Sequence, residues 1–212
     1  MPESAQALDS NEVPENPQVI DGIQGRGKES NSRLREFNRK ILELDAEYTL
    51  RLRVAEKPGL KRCLAIIFAH SGDSWFWLLG LGLVWFYGSD FWQERAGAMA
   101  ISILVTAIFV LVIKFAVRRQ RPVGEWGEIY RKTDPHSFPS GHATRATMLS
   151  VLALGLGPLW FGLLVLIWAP MVILARVAMG VHYLSDVVVG TLLGVLIGIL
   201  ALKFIPQLPF LV

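Results

Sequence analysis

Cysteine is all but missing from this 212-residue chain. Cys63 stands alone, which excludes an intrachain disulfide and a thiolate metal cluster. A basic start followed by a short apolar run is missing too, so no cleavable signal peptide is expected. Charge is missing over long stretches, the longest running from Ala146 to Ala175. A helix facing water carries a polar side along its whole length, so a run of this kind belongs in a core or a bilayer. The basic residues form no folded basic face of their own, which argues against a nucleic-acid partner. What is there agrees with a membrane protein: 52% hydrophobic residues and seven Trp, with a mean hydropathy of +0.42.

Residues 1–32 hold Pro2, Pro14 and Pro17 among small and charged groups and read as a disordered tail. From Arg33, the positions Leu34, Phe37, Ile41, Leu44 and Tyr48 recur at helical spacing among many charges. That pattern predicts an amphipathic helix at the membrane interface, within an interfacial segment 33–73. Cys63 to Ala69 is too short to cross about 30 Å of hydrocarbon, and either lies at the surface or extends the next helix. The remainder, 74–212, reads as the membrane-embedded domain. Its first span starts near Trp75 and its second covers Ala96 to Val117. The long uncharged run divides at Gly155-Leu-Gly-Pro158 into spans three and four, and the fifth runs from about Leu184 to Leu202. The expected fold is therefore an all-α integral membrane bundle of about five transmembrane helices, six if Cys63 to Ala69 adds a crossing, with an N-terminal amphipathic helix.

Charge inside such a bundle costs free energy unless it faces a polar cavity and finds a partner. Arg176, His182 and Asp186 are wedged between two apolar runs, and so call for a functional account. With five crossings, Lys114, Arg121, His142, Arg176, His182 and Asp186 all fall on one side, which is also the side of the N-terminus. Eleven of the 21 Lys and Arg residues lie at or before Arg62 and five lie between Arg118 and Lys132, against Arg95 and Lys203 opposite. The positive-inside tendency puts that side in the cytoplasm.

Three fixed cations, two histidines and a carboxylate at a membrane surface suit a phosphate. Arg offers forked donors and Lys a compact charge. Ser140 can cap the helix that begins span three, so that free backbone amides face an anion while Gly141 allows a close approach. His182 and Asp186 are one helical turn apart, so the carboxylate can hold one imidazole nitrogen and leave the other as nucleophile. His142 can protonate the leaving oxygen and later activate water. Lys114, Arg121 and Arg176 would stabilise the transferring phosphoryl group. This chemistry calls for no metal and no cofactor.

Lys114-Phe-Ala-Val-Arg-Arg-Gln-Arg121-Pro122, Phe138-Pro-Ser-Gly-His142 and Arg176-x5-His182-x3-Asp186 together resemble the three signature motifs of the type 2 phosphatidic acid phosphatase superfamily. The resemblance covers roughly residues 74–203. It implies an all-helical bundle and metal-independent hydrolysis of phosphate esters or diphosphates, with site residues at the positions just named. The second and third motifs look similar to those of short members acting on polyisoprenyl diphosphates. The family often has Ser before the third-motif Arg, where this chain has Ala175. The implied partners are a membrane lipid phosphate and the bilayer, with homo-oligomerisation left open. A lipid phosphotransferase using the same site, and a non-catalytic lipid- or anion-binding membrane protein, are the alternatives. Arg118, Arg119, Arg131 and Lys132 read as a solvated positive-inside loop, and His70 and His136 as interfacial. Gly80, Gly82, Gly190, Gly194 and Gly198 read as close helix contacts.

Overall fold

The computed structural model describes residues 35–37, 39–54, 58–124, 126 and 134–205. The expected disordered tail, Arg131 and Lys132 lie outside them. The chain divides into two units, 1–43 and 44–212. In the first, residues 35–37 and 39–43 are helical, with surface ion pairs Glu36 to Lys40 and Arg39 to Glu43.

The second unit opens with helical residues 44–52 and continues, among the described residues, through six helices: α1 (Leu60–Ser71), α2 (Ser74–Tyr87), α3 (Asp90–Val117), α4 (Gly141–Leu156), α5 (Leu159–Ala178) and α6 (Leu184–Phe204). Among the described residues there is no strand, only an isolated bridge between Gln120 and His136. α3, α5 and α6 are long and apolar enough to cross a membrane, and α1 with α2 makes a fourth if that pair, bent by 56°, is one span. Breaks fall where the backbone loses helical support. Gly72, Gly88 and Gly157 end α1, α2 and α4, and Pro158 precedes α5.

α4 is the centre of the bundle. It packs on α5 and α6, and more lightly on α3, while α2 leans on α3 and α1 on α5. Met148, Leu149, Leu152 and Ala153 of α4 are fully enclosed and meet Met99 and Ile103 of α3 and Val165 of α5 in the main apolar cluster. The outward faces of α3, α5 and α6 expose rows of Leu, Ile, Val and Phe, as lipid contact requires.

The glycines divide in two. A Cβ on Gly190, Gly194 or Gly198 of α6 would fall within 2.7 Å of α4 or its cap Ser140, Gly194 worst at 2.3 Å from the Thr144 carbonyl oxygen. These three let the two helices touch, as expected. Gly80 and Gly82 do not: a Cβ at either meets nothing within 4 Å, which corrects their reading as helix contacts. They stand about 200° apart around α2, on either side of Leu81, the residue that packs into the main apolar cluster. Gly194→Ala should therefore destabilise the detergent-solubilised protein by about 1 to 3 kcal/mol through overpacking, read as a lowered apparent melting temperature. Gly80→Ala should leave it unchanged or raised.

The α1–α2 bend is held by polar contacts rather than left slack. The Ser71 carbonyl accepts from Trp77 Nε1 at 3.1 Å, and Ser71 Oγ accepts from Trp168 Nε1 at 2.9 Å. Arg145 of α4, itself buried, donates Nε to the Gly72 carbonyl at 3.0 Å and Nη1 to Ser74 Oγ at 2.5 Å. A buried guanidinium with neutral acceptors on both sides of one residue fixes that residue in space. The residue is Asp73.

Candidate active site

The sequence's six ionisable site residues stand at the ends of helices or in the loops beside them, and all lie together. Lys114 is in the last turn of α3, which stops at Arg118 in a left-handed conformation (φ 53°). Arg121 follows in the loop, His142 opens α4, Arg176 sits in the last turn of α5, and His182 precedes α6. These five line one cavity of about 800 Å³, with Gly141 also in its wall. Lys114, Arg121, Arg176 and His182 are each 5% exposed or less.

Two of the named residues stand just behind the wall. Ser140 is enclosed and caps α4, its Oγ accepting from Ala143 N at 3.4 Å and its own N–H donating to the Asp186 carbonyl at 3.0 Å. Asp186 is enclosed as well. Its Oδ2 accepts from Tyr183 N at 2.9 Å and lies 3.6 Å from His182 Nδ1. That separation is longer than a hydrogen bond, and it leaves the pair to tighten on a bound ligand. On the other side of the ring, Arg121 Nη1 stands 3.3 Å from His182 Nε2. A guanidinium only donates, so the Nε2 lone pair faces Arg121 Nη1 at the cavity wall and the ring proton stays on Nδ1, toward Asp186.

Further groups in the site have no place in the sequence motifs. Asp134, in the loop before α4, accepts from Arg121 Nη2 at 2.7 Å through Oδ2 and from Arg121 Nε at 2.7 Å through its carbonyl, and it pairs with Lys114. Burial pushes its carboxyl up, but the Lys114 and Arg121 charges more than offset that and hold it below the ordinary value. Asp73 accepts from His142 Nε2 at 2.7 Å and so orients the ring. Arg119 donates Nη1 to Asp186 Oδ1 at 2.8 Å and Nη2 to Asp45 Oδ2 at 2.7 Å. This corrects its reading as one charge of a solvated loop. His70, read as interfacial, lines the cavity, whereas His136 packs edge-on against Phe115. Ala175, where the family often has Ser, packs with Ala65 and Ala69 of α1.

The polar floor continues into an apolar wall. Trp75 of α2 and Ala107, Val110 and Leu111 of α3 line the same cavity, and Trp75 and Leu111 are also exposed on the outer surface. A charged head and an apolar chain could therefore occupy one continuous space.

Enclosure has a consequence for pH. Burial, with Arg121 and Arg176 adding and Asp186 opposing, pushes His182 down from 6.5 to about 3. Between those values the unfolded chain binds a proton here that the folded chain does not, so stability falls on acidification, by up to about 1.4 kcal/mol per pH unit. The apparent melting temperature of the wild type should thus drop between about pH 6.5 and about pH 4 more steeply than that of His182→Gln, which does not titrate. Equal slopes would contradict the neutral, buried imidazole.

The chain resembles known proteins in sequence and in fold. The chain is 26% identical over 147 residues to an undecaprenyl-diphosphatase of Sulfolobus acidocaldarius, covering 66% of this chain and 68% of that one. It is 39% identical over 107 residues to a decaprenylphosphoryl-5-phosphoribose phosphatase of Mycobacterium tuberculosis, covering 49% of this chain and just over half, 55%, of that protein. Two solved structures share the fold at 22% identity. One is LpxE of Aquifex aeolicus, with a TM-score of 0.60 over 74% of this chain and 93% of that one. The other is a PAP2-type phosphatidylglycerolphosphate phosphatase of Bacillus subtilis, with a TM-score of 0.63 over 80% and 88%. The PAP2 superfamily model matches residues 95–209, a stretch that holds Lys114, Arg121, His142, Arg176, His182 and Asp186, and the chain belongs to that superfamily.

Proposed function

We propose that this protein is a multi-pass membrane lipid phosphatase. Its substrate is a phosphate monoester or diphosphate of a lipid, of the polyisoprenyl or phosphatidic acid type. The observation that carries the reading is the continuity of a floor formed by Lys114, Arg121, Arg176 and His182 with the apolar wall of α2 and α3. A lipid phosphate has that division of charge and hydrocarbon. The names of the relatives, a polyprenyl diphosphatase and a polyprenyl-linked phosphatase, favour a polyisoprenyl chain.

In this reading Lys114, Arg121 and Arg176 grip the phosphoryl oxygens, helped by the first free amides of α4 at Gly141 and His142, with Ser140 holding that turn. His182 Nε2 attacks phosphorus as the bond to the leaving oxygen breaks, and His142 supplies that oxygen with a proton. Asp186 keeps the Nδ1 proton in place and stabilises the charge on the ring. Water, giving a proton back to His142, then attacks the phosphohistidine, breaks the P–N bond and releases inorganic phosphate. For a diphosphate, the leaving group of the first step is the lipid monophosphate.

In this reading α3, α5 and α6, each long enough to span, are joined by the shorter α2 (14 residues) and α4 (16 residues) to make five crossings, with α1 on the site's side. The excess of Lys and Arg on that side supports a cytoplasmic site. A maleimide that cannot cross membranes should therefore fail to label Val123→Cys, in a Cys63→Ser background, on intact cells. Labelling there would reverse the orientation.

Phosphate release by the purified protein, measured in EDTA on isoprenyl diphosphates, isoprenyl monophosphates and phosphatidic acids, tests the function. Release from at least one class is expected, and none from any would defeat the proposal. Asp134 supplies a further check. Its carboxylate holds the two cations that a phosphate needs, so an incoming anion must displace it. In Asp134→Asn, inhibition by inorganic phosphate should strengthen by about 3- to 10-fold, since a competing charge worth about 1 kcal/mol is gone.

A further inference from the structure

The motif residues leave unexplained why a second carboxylate, from the other end of the chain, reaches the back of the site. Asp45 and Thr49 are one turn apart on the 44–52 helix and face the first turn of α6. Asp45 Oδ1 accepts from Ser185 N at 2.9 Å, its Oδ2 accepts from the Ser185 hydroxyl, and Thr49 Oγ1 accepts from Leu184 N at 3.0 Å. The amides that open α6 are therefore capped by another helix 135 to 140 residues away in sequence. The next residue of that turn is Asp186.

Arg119 closes the connection. Its fork takes Asp45 Oδ2 with Nη2 and Asp186 Oδ1 with Nη1, and Nη1 also donates to Ser185 Oγ at 2.6 Å. The guanidinium carbon stands 4.0 Å from the centre of the Tyr183 ring, so the plane of the fork is fixed by stacking. The Asp186 and Asp45 side chains are 0% and 8% exposed, so water screens their charges little.

The charges decide what this arrangement does. A guanidinium bound to Asp186 alone would neutralise that carboxylate and weaken its hold on the His182 ring. Shared with Asp45, the same guanidinium leaves the group of three with a net charge of −1. Asp186 thereby keeps negative potential at Nδ1 while both of its oxygens stay in place, one on Arg119 and one on Tyr183 N.

We infer that Asp45 and Arg119 are positioning residues for Asp186, so that the helix ahead of the membrane domain helps set the nucleophilicity of His182. This rests on His182 being the nucleophile. Its effect falls on bond formation at Nε2, and not on the electrostatic grip on the phosphate, which belongs to Lys114, Arg121 and Arg176.

The two effects separate with two anions. Orthovanadate expands to five-coordination by accepting the Nε2 lone pair, whereas inorganic phosphate binds only by charge and hydrogen bonds. In Asp45→Asn, which keeps the shape and the cap acceptor but loses the charge, vanadate should bind about tenfold more weakly, and kcat should fall by a similar factor. Phosphate affinity and KM should stay within about twofold, as expected when only the bond-forming step is touched. Arg119→Lys keeps the cation but cannot fork to both carboxylates, so it should show the same selective loss; it decides the matter if Asp45→Asn does not purify as a folded protein. Unchanged vanadate binding in these variants, or equal weakening of both anions, would overturn the inference, the second result marking a purely structural role. If the wild type releases phosphate from no lipid, the proposed function fails while the vanadate comparison still decides this one. Failure of the wild type to bind vanadate would overturn this inference, whatever its activity on lipids.

Discussion

His182→Gln will lower phosphate release by at least about 10³-fold while leaving a folded protein, because glutamine can fill the space but cannot form the phosphorus–nitrogen bond. The imidazole is enclosed, its Nε2 is 3.3 Å from the Arg121 guanidinium, and Nδ1 faces Asp186. Glutamine retains a polar end at this place, so the neighbouring charges are not left facing hydrocarbon, and its effect is on chemistry rather than folding. Two measurements make the result specific. A substrate labelled at the transferred phosphorus should leave acid-labile label on the wild type after rapid quenching, and none on His182→Gln. In His142→Gln, which loses the acid of the first step and the base of the second, the label should form more slowly but, once formed, persist longer than on the wild type. Turnover by His182→Gln within tenfold of the wild type would remove the nucleophile from the mechanism.

How much of this could be read beforehand depends on the contrast each residue makes with its surroundings. Lys114, Arg176, His182 and Asp186 interrupt or bound apolar runs, where a charge stands out, and counting crossings brings them to one side. The same reasoning applied to Asp73 would have found it. It stands between two apolar runs at the site end of α2, and it escapes notice because Cys63 to Ala69 is too short to count as a span. Asp134 and Arg119 are different. They lie in polar stretches where one more charge carries no signal, and Arg119 looks identical to Arg118 beside it, which turns away to a carbonyl of its own helix. Asp45 is hidden more deeply, as one of many charges on an amphipathic helix whose partners lie 74 and 140 residues further on. The glycines make the same point in the apolar part. Gly80 and Gly194 are equivalent in composition, and only the packing shows that one faces open space and the other a backbone carbonyl.

Arg121→Lys will cost about 10²- to 10³-fold in kcat/KM although the charge is kept, an expected loss of about 3 to 4 kcal/mol in transition-state binding. Arg121 works with its whole fork. Nε and Nη2 hold the carbonyl and carboxylate of Asp134, at 2.7 Å each, and Nη1 holds the Val181 carbonyl at 2.8 Å while facing His182. The loop before α4 and the loop before α6 therefore meet on one planar group, and His182, the proposed nucleophile, is carried on the second of them. A lysine offers a single ammonium at the end of a flexible stem, so it can replace one of these contacts but not hold both loops and a phosphate oxygen together. The loss should appear mainly in kcat, because Lys114 and Arg176 still attract the anion while the distance from Nε2 to phosphorus is no longer fixed. Lys114→Arg provides the contrast. Lys114 already acts as a point charge against Asp134, so the exchange should chiefly raise KM by crowding, with kcat within about tenfold of the wild type. Steady-state kinetics of the two variants on one lipid substrate separate these outcomes. An Arg121→Lys enzyme changed only in KM would mean that the guanidinium contributes charge alone, and that the two loops are held by something else.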